Sequence, residues 1–575
     1  MRKPALFLSF CLYACLIQAQ VVISYWDSTA GIKKSEIHYT EGMQHGLIQL
    51  WYKNGKTAEK GFFKYGNQDS VWKNYYEDGK VKSVKLFDKG KPEGAWIFFY
   101  TNTDTAEFDS YNEGKKEGRW QTWYESGKVN SITPYRKDFK DGTWTYYYSN
   151  GNLQNQGSFT RDAKEGHYAS WYENGNKQTE GDYHNNKETG DWHEWYFNGT
   201  LKQFSKHSDS ATYLMEYNDS TGKKLVTGGN GAITVFYTDG KMQASGSYMG
   251  GLKNGLWKYY TLNGDEDYEA IFSNGKMNGE YTAWYTGKKT KDKGAYAGNM
   301  KDGHWLMYYE NGKQKTTGDM HRNLREGLWR YFTDAGDTEA VGYFRHDEQD
   351  SLWIYYYKGN VKSRQGYYKH NLRTGDWTVW YVDGNVKVKC SYVNDKEEGP
   401  SKSWYDNGQE EDEGAYKLGD MQGDWKGWYD NGKMKYSGAM DSNLKEGHWT
   451  YWYDKGTIKC EGNYHKDKKE GHWIYLQPTG IKVQEGDYQA DKPSGKWDYY
   501  YETGVLMEEK MLKDGKPSGK CTSNFPDGKI QRVTYFTIQR DKNGEIRSVP
   551  DGTWIDYDKN GNITKKVNYK NGEVQ

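Results

Sequence analysis

The chain is 575 residues long and carries 79 basic and 79 acidic side chains, with 17% aromatic residues (54 Tyr, 25 Trp, 18 Phe) and only 35% hydrophobic residues in all. Charges of both signs are scattered through it, which excludes a basic patch of the kind that binds nucleic acid or drives strong adsorption to anionic lipid. Aliphatic runs are too sparse for a Leu/Ile/Val core, while the aromatic content and the strict periodicity described below exclude a disordered chain.

Residues 1–19 read as a secretory signal. Arg2 and Lys3 form a basic start, Ala5 to Ile17 is apolar, and Ala19-Gln20 offers a cleavage point. The apolar stretch is shorter than the roughly 18–20 residues that span a membrane. Leu12-Tyr13-Ala14-Cys15 resembles a lipoprotein box with an atypical Tyr13, so lipid attachment at Cys15 is the weaker alternative. The mature chain is therefore expected to be exported, with residues 20–45 as a lead-in.

From Gly46 a glycine, or serine at Ser70 and Ser351, recurs every 24 residues. The first array (46–204) runs to the module opened by Gly190. The second (231–530) starts at Gly231 and ends with the module of Gly519, and a capping repeat (552–575) starts at Gly552. Self-similarity at a fixed period marks a repeat architecture, here of about 21 modules. Two residues after the opening glycine stands an aromatic, usually Trp, as in Trp72, Trp192, Trp305 and Trp449; three further on stands another, as in Trp123, Trp195 and Trp452, usually followed by Tyr. Such runs have strand composition. Each then meets Asn-Gly or Asp-Gly, as in Asn54-Gly55, Asp78-Gly79 and Asn431-Gly432, whose residues tolerate the positive φ that tight hairpin turns require. A polar stretch follows, ending in Gly-x-aromatic, as in Gly181-Asp182-Tyr183 and Gly486-Asp487-Tyr488: the returning strand.

Four residues before each opening position stands Gly, Asn or Asp, except for Thr227 and Ser548 at the two breaks in the period. These residue types share tolerance of the left-handed region, so one left-handed residue is expected in each inter-module turn. The expected fold is all-β: an elongated antiparallel ladder of hairpins, its apolar area supplied by stacked Trp, Tyr and Phe. At about 4.8 Å per strand it would be on the order of 200 Å long. Simple alternation puts the aromatics two and six places after the glycine on one face and that at five on the other. Whether both faces are covered, or a bulge re-aims one set, stays open.

The first break, residues 205–230, lengthens the spacing from 24 to 41 and looks like an extra irregular hairpin; the second, 531–551, carries its own turn at Asn543-Gly544. Insertions on a regular scaffold are places where function can sit, although a plain insertion is the simpler reading. Beyond the signal the cysteines are Cys390, Cys460 and Cys521. Cys390 replaces the usual glycine, Cys521 the usual Trp, and Cys390 and Cys460 are too far apart in the ladder for a disulfide.

Phosphate-loop, zinc-protease, nucleophile-elbow and paired-cysteine motifs are absent. Asp541–Glu545 and Asp558–Gly561 lack full calcium-loop spacing, and hairpin turns explain both. The Gly-His-Trp histidines His304, His448 and His472, with His167, read as strand residues; equivalent ones in neighbouring modules stand about 10 Å apart, too far to share a metal. No catalytic, cofactor or metal residue is assigned, and an enzyme is not expected.

The recurring pattern, as in Glu180-Gly181-Asp182-Tyr183 through Asn186, Gly190, Trp192, Trp195-Tyr196 and Asn198-Gly199, and again from Glu485 through Asp491, Gly495, Trp497 and Tyr500-Tyr501, resembles the MORN repeat in its bacterial variant form. The resemblance covers residues 37–575 apart from the breaks. It implies a β-hairpin ladder used for scaffolding, membrane association or dimerisation, with no catalytic residues, and it extends to proteins labelled as predicted antitoxins. The function expected is that of an exported, non-catalytic scaffold in the periplasm, at the outer membrane or outside the cell, meeting a protein partner or another copy of itself. Binding of cell-wall glycan or membrane lipid through repeated aromatics is the alternative, and an antitoxin-like neutralising role a second one. No nucleic-acid partner is expected.

Overall fold

Alternating aromatic and polar residues, punctuated by glycines, produce hairpins. The computed structural model describes residues 19–575 except 28, 30 and 541–543, and among the described residues every regular element is a β-strand. All belong to one open antiparallel sheet of 52 strands, a ladder of hairpins as the sequence implies. The chain divides into two units: residues up to Gly264 with Ile271–Lys276, and Asp265–Ala270 with Met277–Gln575. Both are built from the same module. The proposed signal residues 1–18 and Asn543 lie outside the described residues; Ala19 already begins the strand Ala19–Tyr25, which pairs with Lys33–Thr40.

The module opened by Gly471 shows the construction. Its forward strand, Lys468–Leu476, pairs with its returning strand, Lys482–Gln489, from Gly471 opposite Tyr488 to Tyr475 opposite Gln484; Leu476 then faces Lys482, leaving Val483 as the extra residue. The bulge thus sits on the returning strand, and the forward strand keeps its alternation. Trp473 and Tyr475 share one face, with ring centroids 6.0 Å apart. The aromatic five places after the glycine faces the other way: in the module of Gly190, Trp195 stacks on His193 at 5.8 Å. Aromatics do line both faces, but only the first is fully covered.

A second irregularity places the core. Against the preceding returning strand, Asn463 pairs with Glu470 and Glu461 with Ile474, so Gly462 alone stands opposite Gly471–Trp473. Gly471 takes φ 64° to allow this, and Ser70 (φ 59°) and Ser351 (φ 57°) adopt the same conformation, each hydroxyl bonded to the preceding aspartate. The detour lays the Trp473 ring over Gly462. A Cβ there would lie 2.3 Å from the ring, and the backbone is not left-handed, so this glycine is required by the indole alone. Trp473 is 0% exposed and its Nε1 donates to the Asn463 carbonyl at 3.0 Å. It packs edge-on between Tyr464 (5.1 Å, 86°) and Tyr488 (6.2 Å, 84°), and Tyr488 meets Trp497 at 5.0 Å. A repeating Trp–Tyr column of this kind is the core.

Turn chemistry corrects two sequence expectations. In the Asn431-Gly432 turn only Gly432 is left-handed (φ 79°). Gly432 N donates to the Tyr429 carbonyl and Tyr429 N to that of Lys433, which is a three-residue loop closed by a glycine bulge. Asn431 is there for its side chain: Oδ1 accepts from Lys433 N, while Nδ2 donates to the Asp454 carbonyl in the next module's turn at 2.7 Å. The inter-module turn has two left-handed residues rather than one, as at Ala490 (φ 48°) and Asp491 (φ 67°), the geometry of a type I′ turn. Asp491 also accepts from Lys469 N at 2.8 Å and Glu470 from Ala490 N at 2.9 Å, so Asn, Asp and Glu at these places bind module to module.

Tyrosines following the forward strand add another stitch. The Tyr453 hydroxyl donates to the Leu476 carbonyl at 2.9 Å, and the same bond recurs from Tyr52, Tyr76 and Tyr100 onward. Tyr453→Phe should cost about 0.5–1.5 kcal/mol, the net worth of such a bond. The check is amide hydrogen exchange, which should quicken around residues 453–476 and stay unchanged in distant modules.

Candidate functional site

Three kinds of surface remain once the stitching residues are accounted for. The first lies over the Trp–Tyr column. Two residues before the opening glycine, Lys116, Lys253, Lys301, Lys445 and Lys469 each lie over the indole of their module: Lys469 Nζ stands 4.6 Å from the Trp473 ring centre, and burial lowers its pKa. Two modules of the second unit carry arginine at this position instead. Arg325 lies 3.8 Å from the Phe344 ring centre and Arg373 lies 4.0 Å from that of Tyr392, each paired to an aspartate, Asp347 at 2.5 Å and Asp395 at 3.0 Å. The Arg325 hydrogen bond holds the Asp347 carboxyl below its ordinary pKa. Arg364 stacks on Tyr355 at 4.3 Å. Between these groups runs a concavity of about 550 Å³, floored by Tyr331, Trp353 and Tyr355. Beyond Arg364 a second, of about 460 Å³, is lined by Trp377, Cys390, Tyr392, Ser401 and Tyr416. Sequence reasoning missed this groove. Its signal was the cluster of six arginines from Arg322 to Arg373 in a chain that elsewhere favours lysine.

The second surface is the opposite face, where the residue after the opening glycine pairs across the hairpin with the residue before the returning aromatic. Leu328 faces Tyr343 and Leu352 faces Tyr367, with both tyrosines more than 40% exposed. In other modules the same pair is His–Asp: His167–Asp182 at 3.3 Å, His304–Asp319 at 2.6 Å and His472–Asp487 at 3.1 Å; His448 instead faces Asn463 and approaches Glu461 at 3.6 Å. Each histidine is exposed beside a carboxylate of its own hairpin. Among the described residues no group of three or more His, Cys, Asp or Glu side chains is arranged to hold a metal.

The third is the insertion at 205–230. Thr212–Asn218 pairs with both Leu201–His207 and Lys224–Thr227, so the insertion extends the sheet with an additional hairpin. Val226, Leu214 and Tyr217 are buried, and beside them a concavity of about 600 Å³ is lined by Tyr196, Tyr217, Asp219, Ile233 and Phe236. At the second break Ile530–Arg540 pairs with Ile546–Pro550. Of the cysteines, Cys390 and Cys521 are buried, all three are unpaired, and burial raises each thiol pKa.

Compared with known proteins, the chain matches the profile of the MORN repeat variant over residues 44–65, 68–89, 116–137, 140–160, 164–185, 301–315, 373–394, 421–438, 445–466 and 550–571. No curated protein matches it. Among solved structures it is similar to a chain in the TcdB2-TccC3-Cdc42 crystal structure, at 9% identity and a TM-score of 0.12. That match covers 96% of this chain and 32% of the other, so this chain spans about a third of its length. It is also similar to the extracellular domain assigned to the one-component system BT4673 of B. thetaiotaomicron, at 11% identity and a TM-score of 0.10, covering 98% and 78%. Likenesses of that size carry no argument.

Proposed function

Because this chain is a MORN repeat protein, a kind of repeat that suggests a binding scaffold and a family generally non-enzymatic, we propose that it is an exported interaction scaffold of the cell envelope, engaging a protein partner or a second copy of itself. The observation that carries this reading is a division of labour within the module. Trp473, Gly462, Tyr453, Asn431, Asp491 and Glu470 and their equivalents are used up in joining modules, whereas the exposed cross-strand pair is free to change, from Leu328–Tyr343 to His304–Asp319. A regular frame presenting a different pair at each step suits recognition of an extended partner. The adjacent Leu328–Tyr343 and Leu352–Tyr367 pairs supply the apolar centre that protein interfaces concentrate.

Export rests on the basic start and apolar stretch of residues 1–19, and intact mass of the purified envelope protein should place the mature start at Gln20. For the scaffold itself, the tagged chain is cross-linked in native envelope preparations and its companions identified. A reproducible protein, or the chain itself, is expected. Tyr343→Asp with Tyr367→Asp should cut that capture at least tenfold while changing stability by only about 0.5 kcal/mol per site. Recovery of glycan or lipid alone, or capture indifferent to the two substitutions, would overturn the reading.

A further inference from the structure

Along the Trp–Tyr column, each module's indole lies over the floor residue of the module before it, fifteen places after that module's opening glycine. Where the floor is glycine the ring above it is Trp in nearly every case, as with Gly318 and Trp329, Gly366 and Trp377, Gly414 and Trp425, or Gly438 and Trp449. Six modules lack Trp there: Tyr168 and Tyr281 supply another ring and Ile48 and Ile233 an aliphatic side chain, which leaves two with neither. At one, Cys521 stands in the Trp position and is buried, and the floor is Lys510, whose ammonium lies 5.0 Å from the Tyr499 ring centre. At the other, Ser401 stands in the Trp position over Cys390, and both are small. The column therefore runs from Trp377 to Tyr392 (6.0 Å, 81°) and resumes from Tyr416 to Trp425 (5.2 Å, 83°) with no ring between. The concavity of about 460 Å³ opens at that point, between Tyr392 and Tyr416.

The slot is framed as its neighbours are. Tyr464 and Tyr488 hold Trp473 edge-on from either side, and Tyr392 and Tyr416 occupy the equivalent places. A side chain on the floor does not bar an indole. Trp144 lies buried above Thr133, and Trp120 and Trp96 lie above Asp109 and Lys85 with their rings tilted against Tyr135 and Phe87. The lid differs: where Lys469 and Arg373 stand in their modules this one has Glu397, which accepts from the Tyr392 hydroxyl at 3.2 Å. With Arg364 and Arg373 opposite, the mouth carries both signs of charge and selects for the ring rather than for a charge.

We propose that the slot bounded by Tyr392, Tyr416, Cys390 and Ser401 binds an indole ring supplied by another molecule, in the place where every full module seats its own. The ring arrives either as a small indole or as a Trp side chain presented by another protein. The site lies on the Trp–Tyr face, opposite the exposed pairs, and stands independently of the scaffold reading.

The test is calorimetric titration of the full mature chain with indole and, separately, with N-acetyltryptophanamide as a mimic of a protein side chain. Saturable one-to-one binding is expected. Ser401→Trp should weaken it at least tenfold by filling the slot from within. Cys390→Gly with Ser401→Trp restores the glycine–indole pairing of the other modules, and should do the same with slower amide exchange around residues 390–416, which guards against loss through misfolding. Binding of both probes points to a Trp side chain, and binding of indole alone to a small molecule; either supports the site. Absence of saturable binding to the unaltered chain, or equal binding to the filled variants, overturns it.

Discussion

Gly462→Ala should destabilise its part of the ladder by several kcal/mol, and the effect should vanish when Trp473 is removed. The added methyl would sit 2.3 Å from the indole of Trp473, which has 0% exposure and no room to retreat between Tyr464 and Tyr488. Trp473→Ala alone should cost about 3–5 kcal/mol, as large-to-small changes at buried aromatics do. In the doubly substituted chain the methyl meets a cavity, so the two costs should be far from additive. Because each module contacts only its neighbours, hydrogen exchange in residues 447–494 reports the loss better than a global melting curve. Additive costs would mean that Gly462 serves the backbone rather than the ring.

Asp109 should make its module pH-sensitive, and Asp109→Gly should stabilise it. This carboxylate occupies the floor beneath Trp120, is 5% exposed, and has one oxygen without a hydrogen-bond partner. Burial, aided by the nearby Glu107, pushes its pKa up to about 7 from an ordinary 3.8. A pKa raised by folding means that the folded state holds the proton more tightly. Stability is then greatest below about pH 4 and is lost as the pH climbs through 7. The cost at pH 8 is on the order of 2–4 kcal/mol, softened by Lys85 and Lys116 nearby. Hydrogen exchange across residues 94–125 should therefore quicken from pH 5 to pH 8 beyond its intrinsic base catalysis. Asp109→Asn should flatten that dependence, and Asp109→Gly should both flatten it and lower the rates throughout. The rings already register the misfit: Trp96–Tyr111 and Tyr111–Trp120 meet at 48° and 64°, against 84–89° along the column at Trp473.

Much of the ladder was legible because its rules are local. A 24-residue spacing, an Asn-Gly turn and a Gly-x-aromatic return identify a hairpin without any knowledge of its neighbours. What escaped depends on register. Asn431 reads as a turn residue, but its amide reaches Asp454 one module on. Ala490 and Leu418 take positive φ with no composition to announce it, since the turn between modules is imposed by pairing on either side. Cys390 reads in the sequence as a stray substitution, and Ser401 draws no notice at all. Only the geometry that lays one module's indole on another's floor turns them into a matched pair. The arginine groove was hidden for the same reason, because Arg325, Arg364 and Arg373 come from separate strands that alignment of the sheet brings together.

The stitching bonds also bear on how such a chain is made. Those of Tyr453, Asn431, Asp491 and Glu470 each join residues only 20–23 positions apart, and that of Trp473 only 10. Adding modules therefore lengthens the chain without lengthening its contacts, so relative contact order falls as the array grows. During synthesis a hairpin can dock as soon as the next has emerged, and it need not wait for the carboxy-terminal end. Evolution inherits the same freedom: duplication or loss of one 24-residue unit leaves every remaining partner at its accustomed distance.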